Sequence, residues 1–189
     1  MTLDLNGQTL TMAFTGQTAN VAAIDNKGTL TIKGSSANGG RKLAVSAAFT
    51  TAGKYAYGVC NTGSLTISGG DISVSGSYTG TFYYVVGIYC DGASASCTMS
   101  GGSVALKDST GTHYGVWLKN GASFNLEGGT VSAVGVFGGA SYGINQNKGN
   151  VNFDLQSGEL RRRGGQVVRK HRQRDGEPRD PLRPRQRRL

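Results

Sequence analysis

Apolar and polar positions alternate in short bursts along the first 160 residues, and each burst ends in glycine. The clearest are "SLTISGGDI" (64–72), "SCTMSGGSV" (96–104) and "SFNLEGGTV" (123–131). A period of two is the signature of a strand, which here puts Leu65 and Ile67, Cys97 and Met99, and Phe124 and Leu126 on one face. Weaker copies occur at "LDLNGQTL" (3–10), "TLTIKGSS" (29–36) and "FDLQSGEL" (153–160). The matching apolar positions are Leu5, Ile32, Ile67, Met99, Leu126 and Leu155, separated by 27, 35, 32, 27 and 29 residues. A second pattern, "YGVC" (57–60), "VGIY" (86–89), "YGVW" (114–117) and "YGIN" (142–145), has its glycines 29, 28 and 28 residues apart. Two independent motifs keep one period.

A repeat of this length means a solenoid, a propeller or an array. Each unit holds about three short alternating segments, and no run is long enough for a helix. A propeller blade wants roughly 40 residues and four hairpin-linked strands. These units are shorter and lack consistent two-residue hairpin signals. The remaining architecture is a parallel β-helix, in which equivalent positions stack about 4.8 Å apart. The reading is therefore all-β: a solenoid of about five to six coils of 27–35 residues over 1–160. Val59, Ile88, Val116 and Ile144 should form one inward rank, and Leu65, Cys97, Phe124 and Phe153 another. Strict alternation gives Tyr57, Tyr114 and Tyr142 the inward parity too, as core or corner tyrosines. Paired glycines such as Gly69-Gly70 suit the corners between strands. Length differences between units fall in "SSANGGRK" (35–42) and "GSYTGTFYYV" (76–85), which read as loops leaving the corners.

The "TLDLNGQTL" opening, the "LTISGG" strands and the "YGI" coils resemble the repeats of pectate-lyase-like proteins. More narrowly, they are similar to adhesin-like, carbohydrate-binding surface proteins of gut bacteria. The resemblance covers about residues 1–160 and implies a right-handed parallel β-helix at a cell surface or secreted. It is specific for fold and carries no catalytic motif. The start of the chain has no signal peptide, and no apolar stretch approaches the roughly 18 residues of a membrane span.

Charge separates a second region. Residues 161–189 hold twelve Lys or Arg against three Asp or Glu, all three prolines and every arginine but Arg41. The rest of the chain is balanced, so the formal charge of +9 resides in this tail. Moving the reading frame forward by one nucleotide lets "KHRQRDGEPR" (170–179) encode Asn-Thr-Gly-Ser-Val-Thr-Val-Ser-Pro-Gly. Residues 61–70 read Asn-Thr-Gly-Ser-Leu-Thr-Ile-Ser-Gly-Gly. On that reading the tail is a frame-shift product that begins near 158–163, or a disordered appendage. A nucleic-acid-binding arm is the least favoured alternative, because the tail has no aromatic to stack on bases.

Candidate chemistry is sparse. Asp71 aligns with Ser103, Thr130 and Glu159, Glu127 with Ser100 and Gln156, and Asp91 with Thr62, Lys119 and Asn147. No two carboxylates share a register position on neighbouring coils, as glycoside hydrolysis or calcium binding would want. Asp4, Asp25, Asp108 and Asp154 are scattered. His113 reads as a surface or turn histidine, and Cys60, Cys90 and Cys97 match no metal spacing and read as free thiols, with a Cys90–Cys97 bridge left open. Neither catalysis, a metal nor a cofactor is expected. The aromatic residues carry the functional expectation. Tyr89 and Trp117 have outward parity on adjacent coils, beside the glycines Gly58, Gly87, Gly115 and Gly143, and could form a flat sugar-stacking platform. The reading is a non-catalytic structural or adhesive segment of a surface or secreted protein, with glycans as partners and self-association through uncapped ends. The alternative is a fragment of a polysaccharide lyase or hydrolase whose catalytic coils are missing.

Overall fold

The computed structural model describes residues 1–34, 42–78, 83–106, 111–134, 140–147, 150–153, 160–161 and 167–168. Each repeat folds into three strands. The first coil holds β1 (Thr2–Asp4), β2 (Thr9–Gln17) and β3 (Val21–Asn26), and the second β4 (Thr29–Lys33), β5 (Lys42–Phe49) and β6 (Lys54–Asn61). The third holds β7 (Ser64–Ile67), β8 (Asp71–Tyr78) and β9 (Tyr83–Asp91). The fourth holds β10 (Ser96–Met99), β11 (Ser103–Leu106) and β12 (Thr112–Lys119). The fifth holds β13 (Ser123–Leu126), β14 (Thr130–Ala133) and β15 (Ser141–Asn147), after which β16 (Asn150–Phe153) opens another.

Strands at the same place in each repeat pair in parallel and make three sheets, β1-β4-β7-β10-β13-β16, β2-β5-β8-β11-β14 and β3-β6-β9-β12-β15. Counted between equivalent strands of the five-stranded sheets, this is about four complete turns of a parallel β-solenoid. No helix occurs among the described residues. Beyond the stacks, β17 (Leu160–Arg161) and β18 (Val167–Val168) form a short antiparallel pair. The tail's remaining residues, the 35–41 loop, Asp108, Asp154, Leu155, Gln156 and Glu159 lie outside the described residues.

The three sheets enclose one core because every strand turns alternate side chains inward. Ile32, Ile67, Met99 and Leu126 are in register and almost wholly buried, as are Leu30, Leu65, Cys97 and Phe124. The end copies sit two residues from where the motif placed them. Leu3, not Leu5, pairs with Ile32, and Phe153, not Leu155, pairs with Leu126, so Val151 and not Phe153 continues the Phe124 rank. A shift of two preserves parity, so the weakest copies could slip without breaking the pattern. At the corners between the first and second sheets Gly70, Gly102 and Gly129 adopt φ of 87°, 79° and 84°, the left-handed region that glycine occupies freely.

The third sheet breaks the alternation. Ala56 and Val59 both belong to the interior cluster, although three residues apart. A Cβ on Gly58 would point among Ile72 and Val74, also interior. Gly58 and Val59 are therefore two successive inward positions, and Gly87-Ile88 and Gly115-Val116 repeat the slip. Pairing skips the glycine each time. Two expectations fall with this slip. The glycines do not flatten the outer surface; they let the wall approach the second sheet. Tyr57, Tyr114 and Tyr142 leave the inward rank and stand outside.

Among the described residues three polar side chains enter the core, Asn26, Asn61 and His113. Asn61 is fully buried at the end of β6: its Oδ1 accepts from Asn26 Nδ2 at 2.7 Å. Its Nδ2 donates to Ser96 O at 3.0 Å and Gly63 O at 3.1 Å, and approaches Cys90 Sγ at 3.5 Å. Asn26 Nδ2 also donates to Ser64 O at 3.0 Å. The amides thus add hydrogen bonds to corner carbonyls, of which Gly63 O also accepts from Ser96 N at 2.9 Å. His113 is also fully buried, a correction to its expected surface place. It pairs with Val85, itself opposite Ala56, so the register carries it into an inward rank. Burial lowers its pKa below the usual value. A folded pKa below the unfolded one means the unfolded chain takes the proton first. Stability should therefore be full above about pH 6.5 and fall as the pH drops below it. Urea midpoints at pH 7.5 and 5.5 would read this, and His113→Gln should flatten the part of the slope it causes.

Candidate functional site

The slip on the third sheet gathers seven aromatic side chains on its outer face. Tyr55 and Tyr57 come from β6, Tyr84 and Tyr89 from β9, Tyr114 and Trp117 from β12, and Tyr142 from β15. Register explains their meeting, since Tyr55 lies opposite Tyr84, Tyr89 opposite Trp117, and Tyr114 opposite Tyr142. The centroids of Tyr55 and Tyr84 are 4.3 Å apart with ring planes 11° from parallel, and Tyr114 and Tyr142 are 5.2 Å apart at 10°. Trp117 stacks on Tyr114 at 5.0 Å and on Tyr55, two coils away, at 5.5 Å. Tyr55 can reach that far because the intervening rank holds Val86, paired with both Tyr57 and Tyr114 and completely buried. The outer face thus carries a small apolar cluster of its own, separate from the interior.

Tyr89 and Trp117, the pair singled out in the sequence, are neighbours here at 5.1 Å, tilted by 58°, and both are half-buried. They belong to a cluster larger than a pair. Tyr84 was hidden by the reading of 76–85 as a loop, although β9 begins at Tyr83, and Tyr57, Tyr114 and Tyr142 by the parity slip, which a count of alternating residues assigns to the core. The signal that could have found them is the recurrence of tyrosine just before the motif glycine, in "KYAYG", "THYGVW" and "SYGIN". Tyr142 keeps 43% of its surface exposed, the most open ring in the cluster.

A polar margin borders the rings. Tyr89 donates its hydroxyl proton to Asp91 Oδ2 at 2.7 Å, and Asn120 Nδ2 donates to Asp91 Oδ1 at 2.7 Å. Asn120 has φ 52°, a left-handed turn position that asparagine tolerates. Lys119 pairs with Asp91 and Asn147 on the neighbouring strands and carries its Nζ 6.0 Å from the Trp117 ring centre. Burial is the main cause raising the pKa of Tyr55, Tyr57, Tyr89 and Tyr114, and for Tyr89 the Asp91 carboxylate adds to it. The phenols therefore stay protonated at neutral pH and remain hydrogen-bond donors.

The other candidates do not converge. Asp71 pairs with Lys42 and Ser103, and Ser103 Oγ donates to its Oδ1 at 2.6 Å. Asp4 and Asp25 lie in ion pairs with Lys33 and Lys27 at 3.3 and 3.2 Å. Among the described residues no three His, Cys, Asp or Glu gather as metal ligands. Cys90 and Cys97 are buried free thiols, and Cys60 is a half-buried one. No helix of the described residues is long and apolar enough to cross a membrane.

Fold and face together define a parallel β-solenoid repeat protein with an aromatic outer wall. Comparison with family models, with curated proteins and with solved structures returns no match.

Proposed function

We propose that the chain is a non-catalytic, adhesive repeat segment of a bacterial surface or secreted protein, holding carbohydrate on the aromatic face through Tyr89 and Trp117. One observation carries the reading: half-buried rings on a rigid parallel sheet, bordered by Asp91, Lys119 and Asn120. Sugars offer an apolar ring face to an aromatic side chain and hydroxyls to polar groups beside it. The outer sheet is preorganised for this, since stacked rings lose little freedom when a ligand arrives. The repeat resemblance to adhesin-like proteins points the same way.

Trp117 is the single tryptophan, so its emission reports this face directly. Titration of the full chain with soluble plant and microbial oligosaccharides should give a saturable change in that emission. Tyr89→Ala should weaken binding about tenfold, near 1.4 kcal/mol. Trp117→Ala, followed by calorimetry, should remove binding that the unaltered chain shows. A panel on which the unaltered, folded chain binds nothing would end the proposal.

A further inference from the structure

We propose that Cys90 and Cys97 form a disulfide site, at which a small disulfide oxidant links the two sulfurs and ties the corner of residues 91–96. The inference is independent of what the aromatic face binds.

The two cysteines stand at the ends of one corner, Cys90 near the end of β9 and Cys97 near the start of β10. Both turn into the core and are almost wholly buried. Register puts Cys90 between Asn61 and Leu118, and Cys97 between Leu65 and Phe124. The pair therefore occupies two core ranks that meet at this corner. One amide gathers both ends of it. Asn61 Nδ2 lies 3.5 Å from Cys90 Sγ and 3.0 Å from Ser96 O, one residue before Cys97. The thiols also meet each other, Cys97 donating its S–H to Cys90 Sγ. That bond is the main cause lowering the Cys90 pKa, opposed by burial and aided by Asn61. The same bond, with burial, raises the pKa of Cys97. Two adjoining sulfurs, one of them the readier thiolate, are what thiol–disulfide exchange requires.

The chemistry takes two steps. Cys90, having lost its proton to solvent, attacks one sulfur of the oxidant RSSR and expels RS⁻, which is protonated to RSH. Cys97 then attacks Cys90 Sγ in the mixed disulfide and expels the second RS⁻, which takes the Cys97 proton. One RSSR is reduced to two RSH, and two cysteines are oxidised to one disulfide. The oxidant enters when the corner opens. Ala93 and Ser94 are exposed, and the turn is tied by Gly92 N to Lys119 O at 3.2 Å and by Ala95 N to Gly92 O at 2.9 Å. Local opening of such a turn bares the pair without unfolding the coils. Once closed, the loop restrains the unfolded chain, so the oxidised form is the more stable.

The test incubates the full chain carrying Cys60→Ser, which leaves two of the three thiols, with oxidised glutathione. Thiols are then counted in denaturant and the intact mass is measured. Both thiols should disappear with the loss of two hydrogens, no glutathione retained and Trp117 emission unchanged. The urea midpoint should rise by about 1 M and return on reduction with dithiothreitol. Adding Cys97→Ala should stop the reaction at one glutathione on Cys90, whereas adding Cys90→Ala should leave Cys97 unmodified. Two unreacted thiols in the folded chain, under conditions that oxidise the same chain in urea, would overturn the proposal. So would a bridge that alters Trp117 emission or lowers the urea midpoint.

Discussion

Gly87→Ala should destabilise the solenoid by about 3 kcal/mol, the upper part of the range for overpacking a close-packed wall. The added Cβ would fall on Val104 Cγ1 and come within 2.6 Å of Gly115 O. Neither neighbour can move away. Val104 is fully buried and pairs with Ile72 and Val131, while Gly115 belongs to the next strand of the same sheet. The strain therefore passes to two sheets at once. Gly143 supplies the control, because it holds the same motif position on β15 and a Cβ there meets nothing within 4 Å among the described residues. Gly143→Ala should change stability by less than about 0.5 kcal/mol. Urea unfolding followed by Trp117 emission measures both. Similar small effects from the two substitutions would mean that the wall is not packed through its glycines.

That glycine also marks the limit of what the chain's pattern discloses. Two motifs at one period were enough to reach a parallel β-solenoid, because a rank such as Ile32, Ile67, Met99 and Leu126 repeats the same burial at each coil. The adjacency of Tyr89 and Trp117 followed from the same register. The wider cluster did not, since a glycine in a strand carries no side chain to declare its direction. Alternation counted across Gly58 or Gly115 then puts every preceding tyrosine on the wrong side. His113 was misplaced for a related reason. A histidine in a turn-rich stretch resembles a surface residue until it is aligned with Val85 and Ala56. Nothing in "CNTG" marks Asn61 as a core residue, since asparagine suits a turn as well. Only the stacked neighbours show that its amide turns inward.

Asn61 should accordingly be among the least replaceable residues in the chain. Asn61→Asp keeps the shape and is expected to cost about 4 kcal/mol at neutral pH. Nδ2 donates to the carbonyls of Ser96 and Gly63, and a carboxylate oxygen in its place would face both as an acceptor against acceptors. The charge would be fully buried. Asn26 Nδ2 would remain as a donor to the other oxygen, which offsets part of the penalty. The sign with pH distinguishes this account from simple loss of packing. A buried carboxyl has its folded pKa raised above the unfolded value, so the folded state holds the proton longer. The penalty should then be smallest below the unfolded pKa of about 4 and should grow as the pH rises through it toward the folded pKa. Asn61→Leu separates charge from hydrogen bonding. It is near in volume and follows the chemistry of its own rank, where Cys90 and Leu118 stack above it. It should still lose about 2 kcal/mol from the hydrogen bonds that Asn61 makes to Ser96 O, Gly63 O and Asn26, with no new pH dependence. Denaturant midpoints for both variants at pH 4 and pH 7 decide the matter, since equal losses at both pH values would remove the buried charge from the explanation.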